Sequence, residues 1–211
     1  MATLTDVIKT LSTNLDSKIL DFGCGDGHEM AYMREIGFIN ITGFDVARWS
    51  HNAPESENII IDPDSIGFLE RNPSAFDVIF SRESVYYTSV DQQDRLWGAF
   101  YGALKPGGKI VVIAFNGALS TSAWILQKDL AMKFAFNELT LQSFPLKAGF
   151  SHIQVEKVNP EHRSFLGTAL FWFVLGYGEL NSRLRYFTER GLENQNPRLF
   201  SKQIVMTARK P

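Results

Sequence analysis

The stretch "ILDFGCGDGHEM", residues 19–30, constrains the fold more than any other part of the chain. An apolar run that reads as a buried strand meets glycines at alternate positions, Gly23, Gly25 and Gly27, and then helix-forming residues resume. Glycine weakens the interior of an element, so three in close succession mark a place where the backbone must turn sharply or come very near something else. In an open parallel sheet the loop after the first strand lies where ligands collect, and glycines there let backbone N–H groups approach a ligand while the following helix presents its positive end. The stretch therefore predicts a strand, a ligand-cradling loop and a helix.

The rest of the chain continues this alternation. Leu4, Val7, Ile8, Leu11 and Leu15 recur at helical spacing. Strands are expected at 18–22, 39–44, 58–61, 76–80, 109–115, 152–158 and 201–208. Between them a helix from Gly27 to Ile36 carries Met30, Met33 and Ile36 inward and stops at Gly37. A second helix, capped by Asp91, buries Leu96, Ala99, Phe100, Ala103 and Leu104 and is halted by Lys105-Pro106-Gly107-Gly108. A third, from Thr140 to Ala148, is disturbed by Pro145 and ends at Gly149. Strands that are nearly continuous apolar runs, alternating with helices, specify an α/β fold with a mostly parallel sheet covered on both faces. A chain of 211 residues with 45% hydrophobic and 21% charged residues can bury such a core as one domain, without a linker or repeat.

Charge and cysteine usage narrow the partners. A net charge of -2 exerts no long-range pull on a phosphate backbone, so nucleic acid is not the expected partner. The single cysteine, Cys24, excludes an intrachain disulfide and suits a reducing compartment; with no leader-like N-terminus, a cytoplasmic address is expected. His28, His51, His152 and His162 are scattered, no His, Cys or carboxylate cluster has ligand spacing, and no metal is expected.

The spacing Gly23-x-Gly25-x-Gly27 differs from the dinucleotide fingerprint G-x-G-x-x-G and is preceded by Asp21. "LDFGCGDG" resembles motif I, D/E-x-G-x-G-x-G, of the class I S-adenosylmethionine-dependent methyltransferases. "ITGFD", "IIIDPDSIGFL", "FDVIFSRESVYY", "ALKPGGKIVVIAF" and "LTLQSFPLKAGFSHIQVEKV" resemble that family's second to sixth strands with their neighbouring helices. The resemblance implies a three-layer α/β sandwich around a seven-stranded sheet whose last strand is antiparallel, and S-adenosylmethionine as cofactor. By the same resemblance Asp21, Gly23, Gly25, Asp26 and Gly27 bind the cofactor, while Asp26 reads equally well as a helix N-cap that needs no ligand. Asp45, followed by Val46, takes the ribose hydroxyls, Asp64 and Ser65 stand beside the adenine with Asp62 in reserve, and Ser81 offers backbone near the methionine moiety. The residue types agree: a carboxylate at the end of the second strand accepts hydroxyl donors and repels phosphate, and a sulfonium with an ammonium suits acidic surroundings.

The loop "SRESVYYT" is where such a fold meets its acceptor. Glu83 is a candidate for taking a proton or placing an amine, and Tyr86 or Tyr87 for orienting the acceptor, with Tyr86 the choice made here. Inserts at 116–137 and 159–200 are the expected substrate cover, and "FLGTALFWFVLGYG", Phe165 to Gly178, is too short to span a bilayer. This run reads first of all as a core-packed helix, which is compatible with lining an apolar pocket; a homodimer contact or a face resting on a membrane surface are the other readings. The expected activity is methyl transfer to an O, N or C atom of a small molecule. The alternatives are another reaction on the same cofactor, or a non-catalytic scaffold.

Overall fold

A computed structural model describes residues 3–47, 58–119, 129–159 and 201–211, together with isolated positions between 177 and 199. In chain order it contains α1 (Leu4–Lys9), β1 (Ile19–Phe22), α2 (His28–Ile36), β2 (Ile41–Asp45), β3 (Ile59–Ile61), α3 (Ser65–Glu70), β4 (Phe76–Arg82), α4 (Gln93–Ala103), β5 (Leu104–Phe115), α5 (Glu138–Ala148), β6 (Ser151–Val158) and β7 (Gln203–Arg209). The seven strands form one sheet in the order β3-β2-β1-β4-β5-β7-β6. All neighbours are parallel except β7, which runs antiparallel to both β5 and β6. Strand order reverses between β1 and β4, so the crevice expected for a ligand opens above their carboxyl ends.

Two apolar layers sandwich the sheet. On one face α3, α4 and α5 cover Leu20, Phe22, Phe44, Ile79, Ile110, Val112 and Ala114; on the other, α1 and α2 cover Ile19, Ile41, Val78, Phe80, Val111 and Ile113. β1 is buried at every position, as a central parallel strand must be, whereas β6, at the sheet's edge, alternates between exposed and half-buried residues along most of its length.

The helix signals acted largely as the sequence implies. Met30 and Met33 are fully buried under α2, and Gly37 ends that helix at φ 113. Leu96, Ala99, Phe100 and Ala103 form the buried stripe of α4. Two boundaries differ. Asp91 does not cap α4; it lies in a short 3₁₀ turn, Val90–Gln92, that leads into the helix. Lys105 to Gly108 do not stop α4 but belong to β5, where the register against β4 slips between Phe76 and Val78 and Gly107 takes φ 75. The irregular backbone of a bulge absorbs the Pro-Gly-Gly sequence that in isolation reads as a turn.

Phe100 ties helix layer to sheet at the ligand end: it meets Phe22 edge-on at 4.9 Å and Trp97 at 5.7 Å. Truncating a ring so fully enclosed leaves a cavity as well as losing transfer energy. Phe100→Ala is expected to lower unfolding free energy by about 3–5 kcal/mol, read as a fall in the urea midpoint with little change in slope.

Candidate functional site

The glycine loop is folded back onto the end of β2. Gly23 and Cys24 both donate their backbone N–H to the Phe44 carbonyl, at 2.7 and 3.0 Å, and Gly25 N–H donates to Asp45 Oδ2 at 2.8 Å. Gly23, at φ 78, also lies against the segment after β4: a Cβ there would stand 2.2 Å from Ser84 Cβ. Gly25 differs, since a Cβ at that position would meet nothing within 4 Å. One glycine thus permits close protein packing, and the other borders open space.

That space is a cavity of about 630 Å³ over the carboxyl ends of β1, β2 and β4. Its walls fall into two groups. Phe22, Gly23, Gly25, Phe44, Asp45 and Val46, with Pro63, Ser65 and Ile66, form one side. Glu83, Ser84, Tyr87, Thr88, Gln92 and Ala131 form the other. Phe22 and Phe44 stack at 5.3 Å and Phe44 stacks on Phe68 at 4.3 Å, giving the first side a rigid aromatic floor. Asp45 is buried at the rim, and its Oδ1 accepts from Ala47 N–H at 3.2 Å.

Of the residues expected at the cofactor, Gly23, Gly25, Asp45, Val46 and Ser65 line this cavity. The others stand behind or beside it. Gly27 is the N-cap of α2 at φ 81, and Asp26, exposed beside it, accepts from His28 N–H at 3.3 Å. Asp64 caps α3 by accepting from Gly67 N–H at 2.9 Å and pairs with Arg71 at 3.1 Å; these partners hold its carboxyl below the usual aspartate range. Asp62 is likewise engaged by Arg71, so neither acidic residue is on the wall that Pro63, Ser65 and Ile66 supply. Ser81 is fully buried at the end of β4, sharing a 2.5 Å hydrogen bond with Ser84, whose hydroxyl donates in turn to the Phe22 carbonyl at 2.9 Å. Ser84, not Ser81, reaches the wall.

Beneath the loop lies a charge cluster that sequence reading did not anticipate. Arg82 pairs with Glu29 of α2 at 3.0 Å, rather than with Glu83. Asp21, on β1, is buried, and its Oδ2 has no hydrogen-bond partner among the described residues. Burial, with the negative charge of Glu29 added, pushes the Asp21 carboxyl well above the usual range, and Arg82 only partly offsets this. A buried carboxyl without a full set of partners is costly to ionise.

The acceptor candidates also separate. Glu83 adopts φ 55, a left-handed conformation that costs a non-glycine residue on the order of 1–3 kcal/mol and that gathers at functional sites. Its carboxylate accepts from Gln203 Nε2 at the start of β7. Tyr86, expected at the acceptor, is instead a core residue, buried and stacked on Phe115 at 5.8 Å. Burial first, then Glu83, raise its phenol far above the ordinary value. Tyr87 takes the place at the wall, and its hydroxyl donates to Asp129 Oδ2 at 2.8 Å. Burial and that hydrogen bond push it up to about 12. In a 3₁₀ turn adjacent residues point about 120° apart, so only one of two consecutive tyrosines can face the cavity.

Part of the first insert reaches the site: Ala131 lines the cavity, Asp129 holds Tyr87, and Lys133 and Phe134 N–H both donate to the Tyr86 carbonyl. The apolar run 165–178, apart from Tyr177, and most of the insert 159–200 lie outside the described residues, as does the dimer contact expected there. Among the described residues no group of His, Cys, Asp and Glu could hold a metal ion, and no helix is long and apolar enough to cross a membrane.

Comparison with known proteins adds the following. Residues 2–170 match a family described as a methyltransferase domain. The chain is 26% identical over 111 residues to a phosphoethanolamine N-methyltransferase of Plasmodium falciparum, covering 50% of this chain and 42% of that protein. It is 26% identical over 118 residues to phosphoethanolamine N-methyltransferase 3 of Arabidopsis thaliana, covering 53% of this chain and 24% of that protein. It thus spans less than half the length of these relatives. Among solved structures, a SAM-dependent methyltransferase from Archaeoglobus fulgidus aligns over 98% of this chain and 94% of its own, with a TM-score of 0.67 at 18% identity. Phosphoethanolamine N-methyltransferase 2 of Haemonchus contortus, in complex with phosphomonomethylethanolamine and S-adenosylhomocysteine, aligns over 97% of this chain and 52% of its own, with a TM-score of 0.61 at 18% identity.

The buried Asp21 yields a sign that can be checked. Because its folded pKa is raised, stability falls as pH climbs from the unfolded aspartate value, near 3.9, through the folded one. Asp21→Asn removes that loss. The variant is expected to melt higher than the parent at pH 7, by roughly 2–4 °C for each kcal/mol relieved, with the gap closing below about pH 4, as followed by calorimetry without added ligand.

Proposed function

Because the chain belongs to the methyltransferase-domain family matched over residues 2–170, we propose that it transfers a methyl group from S-adenosylmethionine to a small-molecule acceptor. The observation that carries this reading is the Gly25–Asp45 corner, where exposed backbone and a buried carboxylate face a cavity large enough for a nucleoside and a small second ligand. When bound, this cofactor supplies an electrophilic methyl carbon on a positively charged sulfur.

The residues present suit such a ligand. Asp45 accepts ribose hydroxyls in charge-assisted hydrogen bonds, and its charge disfavours a phosphorylated ribose. Val46, Pro63, Ser65 and Ile66 hold the base between apolar surfaces, with Ser65 in the role expected of this segment. Gly23 and Gly25 leave room at the methionine end, and Asp21 below them complements a cation. Asp26, Gly27, Asp64 and Ser81 serve one step back, as caps and braces of the loops that touch the ligand. Displacement at a methyl carbon asks the protein mainly to align the reacting atoms and exclude water. Glu83 and Tyr87 face the acceptor end, and the inserts 116–137 and 159–200 cover it. The chain acts as one domain in the cytoplasm.

Titration with S-adenosylmethionine, S-adenosylhomocysteine and NAD tests the reading: the first two bind and NAD does not. Asp45→Ala weakens both by roughly 10- to 100-fold, the scale of one or two hydrogen bonds to a charged group, and Asp45→Asn by less. Binding of NAD in preference, or affinity untouched in Asp45→Ala, overturns the assignment.

A further inference from the structure

The acceptor end of the cavity combines the neutral polar groups of Ser84, Thr88 and Gln92 with one charged side chain, the carboxylate of Glu83. Glu83, at φ 55, lines the wall, its backbone N–H still donates to the Ile113 carbonyl of β5 at 2.8 Å, and its carboxylate accepts from Gln203 of β7. Tyr87 has a single phenolic proton, and this is already donated to Asp129. With that proton committed, the Tyr87 oxygen offers the cavity lone-pair density. Among the described residues the wall carries two carboxylates, Asp45 and Glu83, and no Lys, Arg or His.

Such a surface selects its partner by charge. A carboxylate or phenolate acceptor meets repulsion from Glu83, and among the described residues of the wall no cation answers it. A neutral alcohol can hydrogen-bond to this wall but brings no charge to answer the Glu83 carboxylate. An ammonium brings several N–H donors and the opposite charge. From this, and resting on the methyltransferase reading above, we propose that the acceptor is a primary or secondary amine, bound as the ammonium against Glu83, with Gln203 as the residue that positions Glu83. The ammonium passes a proton through Glu83 to solvent. The freed nitrogen lone pair then forms the C–N bond to the methyl carbon as the C–S bond breaks, its electron pair staying on sulfur to leave a neutral thioether. The product is an N-methylammonium ion.

Three probes of one size separate the charges: 2-phenylethylamine, 2-phenylethanol and phenylacetate, with ethanolamine and phosphoethanolamine as shorter amines. Each is titrated by calorimetry into the full chain saturated with S-adenosylhomocysteine, so that no turnover intervenes. At least one amine is expected to bind tenfold or more tightly than 2-phenylethanol, with phenylacetate undetected. Glu83→Gln erases that preference. Gln203→Leu raises the amine KM at constant kcat, and Gln203→Asn recovers part of the loss, which a general loss of folding does not do. If Glu83→Gln fails to fold, the probe ranking in the parent chain and the Gln203 pair still decide the matter. Equal binding across the three charges, a preference for alcohol or acid, or no amine bound overturns the amine assignment while leaving methyl transfer in place; a chain that does not bind S-adenosylhomocysteine overturns both.

Discussion

The site depends on a corner where two parallel strands hand their loops to each other. Gly25 N–H meets the Asp45 carboxylate at 2.8 Å, and just below it two successive amides share the Phe44 carbonyl. Parallel strands cannot be joined by a tight turn, so their ends are left as separate loops, and something must fix one against another. Here a side chain from the end of β2 does so for the loop leaving β1. The same carboxylate that organises the loop also lines the cavity, so under the proposed function one residue serves both loop shape and ligand recognition.

The corner is braced from below and from the side. The Ser81–Ser84–Phe22 chain of hydrogen bonds draws the end of β4 onto β1, and the Arg82–Glu29 pair draws it onto α2. These ties come from Ser81, Arg82 and Ser84 in β4 and its exit, and Ser81 and Arg82 reach different partners because neighbouring side chains of a strand point to opposite faces. The cluster carries more negative charge than Arg82 balances. A protein tuned for stability alone would not bury Asp21 in that way, and the cost is intelligible where the ligand is a cation.

The sequence disclosed the sheet, its ligand loop and the carboxylate at the tip of β2, because each follows from local rules: uninterrupted apolar runs make buried strands, alternate glycines make a cradle, and a polar residue ending a strand lies at its mouth. It was less informative where the backbone leaves regular geometry. Ser81 seemed the wall residue by strand position, but the left-handed turn at Glu83 brings Ser84 there instead. Tyr86 and Tyr87 are chemically equal in the sequence, and only the phase of a 3₁₀ turn separates core from cavity. The family resemblance sets Asp64 beside the adenine, whereas a helix start and Arg71 engage its carboxylate and leave Ser65 at the wall. Gln203, more than a hundred residues from Glu83, carries no signal that links the two.

The reversed direction of β7 has an architectural consequence. β6 runs with the parallel strands and so finishes at the cavity end; β7 runs against them and so begins there, with Gln203 already at the rim. The chain between them leaves and re-enters the scaffold at one mouth, and Asn116 grips its returning end through the Leu199 carbonyl at 2.7 Å. Material can be spliced into that gap, lengthened or exchanged without altering a single rung of the sheet. The fold keeps a port for new specificity beside chemistry that stays the same.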